Sequence, residues 1–133
     1  KEAVDHGKKT MSKISSQQAS IHFSHAYYLD ALAKCAYAAE QENIDIKKLI
    51  IELKDHRKKL KQWSHANTEN FSQKHFLIEA EIYSLQNIND KALSCYNKAL
   101  ELSIEHTYPI DTALIAERMA IFYLKILQNH HNK

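Results

Sequence analysis

The sequence predicts an all-α protein of about six helices, arranged as antiparallel hairpins that stack into a right-handed superhelix. Only one glycine and one proline occur in 133 residues, whereas β-rich folds need such residues at their turns. Apolar residues recur at spacings of three and four, which is the period of an amphipathic helix. The polar breaks between these segments are short, and short connections place successive helices side by side and antiparallel.

The length and the charge narrow the classes of function. A chain of 133 residues suits a single domain, and a net charge of +2 provides no general field for nucleic acid or membrane. No apolar run approaches the roughly 18 residues of a membrane span.

Cys35 and Cys95 lack metal-site spacing and are interpreted as buried thiols of a cytoplasmic protein. Because the chain opens on Lys1 within a helical pattern, we expect a fragment of a larger protein.

The first half of the chain predicts three helical segments. Residues 1–13 resemble the end of one helix, and a long helix is expected over 17–41. The polar stretch "ENID" interrupts the pattern and offers Asn43 or Asp45 as an N-cap. The following helix, about 46–66, is apolar on one side and rich in Lys and Glu on the other, which is typical of a surface helix.

The second half predicts helices that are covered on two sides. The segment 71–85 and the segment 110–128 each carry two apolar stripes, which indicates a helix between two neighbours. Between them, "NIND" predicts a helix capped by Asn89 or Asp90. Pro109 cannot occupy a helix interior but suits a first turn, so we expect it to begin the last helix.

Small residues alternate with aromatic residues at fixed places in this second half. The places are filled by Phe76, Ala80, Tyr83, Ala92, Tyr96, Ala99, Ala116 and Tyr123. Alanines allow two helix backbones to approach, and aromatic rings fill the space between successive pairs. The pattern resembles the tetratricopeptide repeat, a helix pair of about 34 residues, and its best copy spans 73–106. We therefore interpret 1–133 as a single tetratricopeptide-like domain.

The repeat has departures, and a generic helical bundle remains the alternative. Glu79 stands where a leucine is usual, and Ile104 stands where a proline often closes the repeat. Glu79 is expected to reach a buried basic partner such as Arg118 or Lys74. The hairpin expected over 17–66 is longer than the repeat period.

A more specific resemblance covers about 20–124. "LIEAE" at 77–81, the Ala-x-x-x-Tyr-x-x-Ala stretch at 92–99 and "AER-A-FYL" at 116–124 are similar to a helical-repeat segment of large multidomain signalling proteins. Those proteins combine a protein-kinase-like domain, an AAA/STAND-type ATPase, a GAF domain and often a sensor histidine kinase. The kinase, ATP-binding and phospho-acceptor motifs of that family are absent from this sequence. The resemblance therefore implies a scaffold or regulatory spacer of a larger kinase or ATPase.

The helix at 46–66 carries a basic surface that offers a different function. Its cations are Lys47, Lys48, Lys54, Arg57, Lys58, Lys59 and Lys61, and the last five form the possible interaction surface. Such a stretch can contact phosphates or anionic lipid, as in a small helical nucleic-acid or anionic-surface binding domain, and an acidic partner protein fits it equally well. The competing interpretation is a solvated face with Glu-to-Lys pairs along the helix, and we favour it.

Catalytic and metal-binding patterns are weak. His22 and His25 are three residues apart and share a helix face, but a third ligand would have to come from another helix. We interpret them as surface or half-buried histidines and predict no metal, cofactor or enzymatic activity. The predicted function is a protein-interaction or interdomain scaffold module, whose groove holds a peptide, a neighbouring domain or a second copy of the chain.

Overall fold

The computed structural model describes residues 25–41, 43–66 and 68–131, with backbone alone at 64–66 and 68–70. The helices are α1 (25–40), α2 (Ile46–Ala66), α3 (Thr68–Leu85), α4 (Asn89–Glu105) and α5 (Pro109–His131). These ranges contain five helices and no strand, which confirms the all-α class. The right-handed superhelix stays a prediction. The helix expected over 1–13 lies outside the described residues.

The predicted bounds of α2 and the predicted start of α5 agree with the structure, whereas α5 continues to His131 instead of ending near 128. Asp45 caps α2, because the backbone N–H of Lys48 donates to Asp45 Oδ1 at 3.2 Å. Pro109 is the first residue of α5, where its missing N–H costs nothing. Helix α3 begins at Thr68, earlier than the expected residue 71.

The prediction that Asn89 or Asp90 caps α4 was wrong. Ile88 occupies the N-cap position and makes no side-chain cap hydrogen bond. The preceding turn explains the shift, because the Ile88 N–H donates to the Tyr83 carbonyl at 2.9 Å and closes a Schellman-type end to α3. Asn87 lies in the left-handed region with φ of 61°, a conformation that asparagine tolerates better than most residues.

The turn between α4 and α5 repeats this geometry. Thr107 has φ of 60°, and the Tyr108 N–H donates to the Ser103 carbonyl at 2.8 Å. Equivalent turns at both ends of α4 send α3 and α5 in the same direction, with α4 antiparallel to each. Helix α3 packs against α2 and α4, and α5 packs against both α4 and α3.

The core runs along α3, and the alanine contacts of the predicted repeat lie inside it. Ala80, Ala92 and Ala99 are fully buried, as is Tyr96. Phe76 and Tyr83 are half-buried and pack against this core. Small residues at these contacts allow α3 and α4 to approach closely.

Helix α5 presents its two apolar stripes differently. Ile115 and Phe122 are buried against α3 and α4. Ala116 and Tyr123, on the other stripe, are exposed, and no helix of the described chain covers them. None of the described helices is long and apolar enough to cross a membrane.

Candidate functional site

A cavity of about 460 Å³ opens between α1, α3 and α5. Its walls are largely apolar, with Ala38 and Ala39 on α1 facing Ile121 and Leu124 on α5. Tyr96 of α4 contributes to the lining and packs against Phe122, with ring centroids 5.2 Å apart and ring planes tilted by 46°. The size lies within the range of ligand pockets, roughly 300–1,000 Å³. The cavity is lined mainly by α1, α3 and α5, each of which is the first helix of a predicted hairpin.

A buried ion pair forms the polar part of the cavity lining. Arg118 Nε and Nη2 of α5 donate to Glu81 Oε1 and Oε2 of α3 at 2.8 and 3.0 Å. The hydroxyl of Tyr96 also donates to Glu81 Oε1 at 3.0 Å. Both oxygens of the carboxylate are thus occupied, and a bidentate pair of this kind fixes the orientation of both side chains.

Burial and the Glu81 carboxylate shift the neighbouring pKa values. Burial alone would lower the pKa of Arg118, but its hydrogen bond and proximity to Glu81 raise that pKa above its ordinary value. The pKa of Tyr96 is raised by burial and then by Glu81. Burial also raises the pKa of the Cys35 thiol, with Glu81 adding to the effect. Arg118 stays charged, and the phenol and the thiol stay neutral.

Lys125 lines the same cavity without an ion-pair partner among the described residues. Its Nζ donates to the backbone carbonyl of Ser84 at 2.9 Å. Burial lowers the pKa of Lys125, although Glu81 opposes the shift. The Lys125 ammonium is therefore partly desolvated, and the Ser84 carbonyl replaces part of the lost hydration.

A second buried ion pair lies outside the cavity, nearer the start of α3 and α5. Lys74 Nζ donates to Asp111 Oδ2 at 2.7 Å, and Gln73 Nε2 donates to the same oxygen at 3.0 Å. Lys74 also lies over the rings of Tyr28 and Tyr108, at 5.4 and 5.5 Å from their centroids. Side chains of α1, α3, α5 and the α4–α5 turn meet in this cluster, which links α3 to α5 and to α1.

The expectation that Glu79 reaches Arg118 or Lys74 was wrong. Glu79 faces the other way, with its carboxylate 3.9 Å from Arg57 of α2 and 4.0 Å from His75. Arg118 pairs with Glu81 instead, because residues two apart on a helix point to different faces. The signal in the sequence was that Glu81 lies on the same apolar face of α3 as Lys74 and Ile78.

The basic surface of α2 is partly neutralised within the protein. Arg57 lies near Glu79, and Lys59 lies 3.7 Å from Asp55 and 5.0 Å above the ring of Tyr27. Lys54 and Lys58 are exposed, and so is Lys61, which has contacts of its own. The surface is thus a mixture of paired and solvated charges.

No cluster of three or more histidine, cysteine or acidic side chains able to hold a metal ion occurs among the described residues. His22 lies outside them. His25 lies near Tyr28, with ring centroids 6.2 Å apart. Both cysteines are free thiols.

Comparisons with known proteins returned no relative. The chain matches no protein-family profile, no curated protein and no solved structure.

Proposed function

We propose that this chain is a non-catalytic protein-interaction or interdomain scaffold module of a multidomain, cytoplasmic signal-transduction protein, and that the cavity between α1, α3 and α5 holds a peptide segment. The observation that carries the proposal is the cavity itself, with its apolar walls and a few fixed polar groups. This combination is typical of ligand sites, in which apolar surface provides affinity and polar groups provide orientation. The sequence resemblance to helical-repeat segments of signalling proteins supports the wider context.

The cavity chemistry favours binding over catalysis. A general base must be free to accept a proton from the substrate. The Glu81 carboxylate already accepts hydrogen bonds from Arg118 and Tyr96. A nucleophilic cysteine needs a lowered pKa, whereas burial raises the pKa of Cys35. The Glu81 carboxylate and the Cys35 thiol are therefore poorly suited to acid–base or nucleophilic chemistry.

The test is a selection of displayed peptides on the purified chain. A library of linear peptides is panned against residues 1–133, and enriched sequences are synthesised and their affinities measured by fluorescence polarisation. Ile121→Glu places a charge in the apolar wall and should weaken binding of the selected peptides at least about tenfold.

Ile51→Glu is the matched control, since Ile51 is 69% exposed and does not line the cavity. It should leave the affinities unchanged. A selection that enriches no sequence, or peptides whose binding is equally insensitive to both variants, would remove the cavity as the binding site.

A further inference from the structure

The charges that line the cavity do not balance. Arg118 and Lys125 supply two cations, and Glu81 is the sole carboxylate among the lining residues. The Glu81 carboxylate is already engaged by Arg118 through two of the three guanidinium nitrogens. One positive charge therefore remains on this surface, and it belongs to Lys125.

The position of Lys125 makes this excess charge available to a ligand. Its Nζ is anchored to the Ser84 carbonyl at 2.9 Å, so one of its three protons is used and the other two can be donated. The side chain is half-buried. A partly desolvated ammonium without a counter-ion gains more from an arriving anion than a fully hydrated surface lysine does.

Apolar surface lies beside this cation on the same helix. Ile121 and Leu124 precede Lys125 on α5 and line the cavity with it, and Ala38 faces them from α1. Ile121 and Leu124 are 36% and 57% exposed. An occupant that matches both features carries an anionic group next to an apolar side chain.

We propose that the cavity recognises an acidic peptide segment, whose carboxylate binds the Lys125 ammonium and whose adjacent apolar side chain packs against Ile121 and Leu124. This inference rests on the proposed peptide-binding function and specifies the class of peptide. The carboxylate belongs either to an acidic side chain or to a chain terminus, since both present the same oxygens. Arg118 lies beside this position, and its Nη1 is not used in the pair with Glu81.

The test compares three small probes that differ in the carboxylate. N-acetyl-leucine has a terminal carboxylate, N-acetyl-aspartyl-leucinamide has a side-chain carboxylate, and N-acetyl-leucinamide is neutral. Each is titrated to millimolar concentrations into the chain while the methyl resonances of Ile121 and Leu124 are followed by NMR. We expect at least one acidic probe to bind about tenfold or more tightly than the neutral amide.

The difference between the two acidic probes identifies the source of the carboxylate. Stronger binding of N-acetyl-leucine indicates a chain terminus, and stronger binding of N-acetyl-aspartyl-leucinamide indicates an acidic side chain. Equal binding indicates that the cavity accepts both. Each of these results supports the inference.

Lys125→Met removes the charge and keeps most of the apolar stem, so the preference for acidic probes should disappear. Lys58→Met is the matched control, because Lys58 is an exposed lysine on α2 and does not line the cavity. It should leave the preference unchanged. The comparison of probes on the unaltered chain needs no variant and decides the question even if Lys125→Met folds poorly.

Two results would overturn the inference. Equal binding of all three probes would show that the cavity takes apolar groups without reading charge, and peptide binding in the cavity would stand. If none of the probes shifts the methyl resonances of Ile121 and Leu124, binding of an acidic peptide segment in this cavity is rejected. The displayed-peptide selection then decides separately whether the cavity binds peptides at all.

Discussion

Ionic contacts join helices in two regions of this protein, but their surroundings differ. Between α3 and α5, the side chains of Lys74 and Asp111 are 8% and 3% exposed. Within the α1–α2 hairpin, Lys34 lies 3.1 Å from Asp30 and 3.5 Å from Glu52, and the Lys34 and Asp30 side chains are 39% and 55% exposed. The same residue types should therefore have large effects in the first region and small effects in the second.

The buried pairs also carry information about register. Lys74 pairs with Asp111 and Glu81 pairs with Arg118, so the same spacing of about two helical turns separates the pairs on both helices. The order of charge is opposite on α3 and α5. Sliding α5 by that spacing in one direction would bring Arg118 to Lys74, and the other direction would bring Asp111 to Glu81. Either displacement places like charges together in a buried interface.

The largest expected effect comes from breaking one buried pair. Arg118→Met leaves the Glu81 carboxylate buried without its cation, and this should lower the free energy of unfolding by about 3–5 kcal/mol. Urea unfolding curves measure the change. The double variant Glu81→Leu, Arg118→Met removes both charges and should recover most of the loss. Equal loss in the single and double variants would show that the pair contributes packing rather than compensation of charge.

A smaller effect is expected from overpacking the α3–α4 contact. Ala80→Leu adds volume at a fully buried position, and the loss should be about 1–3 kcal/mol with a lower melting temperature. Ala92→Leu tests the facing helix in the same way.

Ala33→Leu is the matched control in the α1–α2 hairpin, because Ala33 is exposed and an added side chain can extend into solvent. Its melting temperature should stay close to that of the unaltered chain. If Ala80→Leu and Ala33→Leu melt alike, the close approach of α3 and α4 is not what the alanines provide.

The sequence predicted the helices and part of the alanine pattern, because both depend on periodicity within one segment, whereas Ala116 of the same pattern is exposed. Ala80, Ala92 and Ala99 are buried as that pattern indicated. The partners of the buried charges were not predicted, since Glu79 and Glu81 are equally acidic and the choice between them depends on how α5 lies against α3. The cavity depends on three helices that are far apart in sequence, and no local pattern encodes it.

Removing an ion pair of the exposed α1–α2 hairpin should lower the free energy of unfolding only slightly, and the loss should depend on salt. Lys34→Met removes contacts to Asp30 and Glu52, and we expect a loss of at most about 1 kcal/mol at physiological salt. In molar salt the difference from the unaltered chain should shrink further, because exposed charges are screened. A loss as large as that of Arg118→Met, unaffected by salt, would contradict the contrast between the two regions.

The smallest expected effect is a pH-dependent one at Asp30. The hydrogen bond from Lys34 lowers the pKa of Asp30 below its ordinary value of 3.8, with the charges of Lys34 and His56 adding to it and burial opposing it. The unfolded chain then binds more protons than the folded chain just below pH 3.8, so stability rises with pH there. The contribution is present above pH 3.8 and is lost as pH falls through the folded pKa.

Asp30→Asn should therefore be slightly less stable than the unaltered chain at pH 7, and the difference should fade as the pH drops below 3.8. Unfolding by urea at several pH values measures it. Glu117→Gln is the control, since Glu117 is exposed and has no ion pair in the described part of the chain, and it should show no such trend. A stability difference for Asp30→Asn that persists in strong acid would mean that Asp30 acts through packing or hydrogen bonding and not through its charge. In that case the α1–α2 hairpin would resemble the buried region more closely than its exposure indicates.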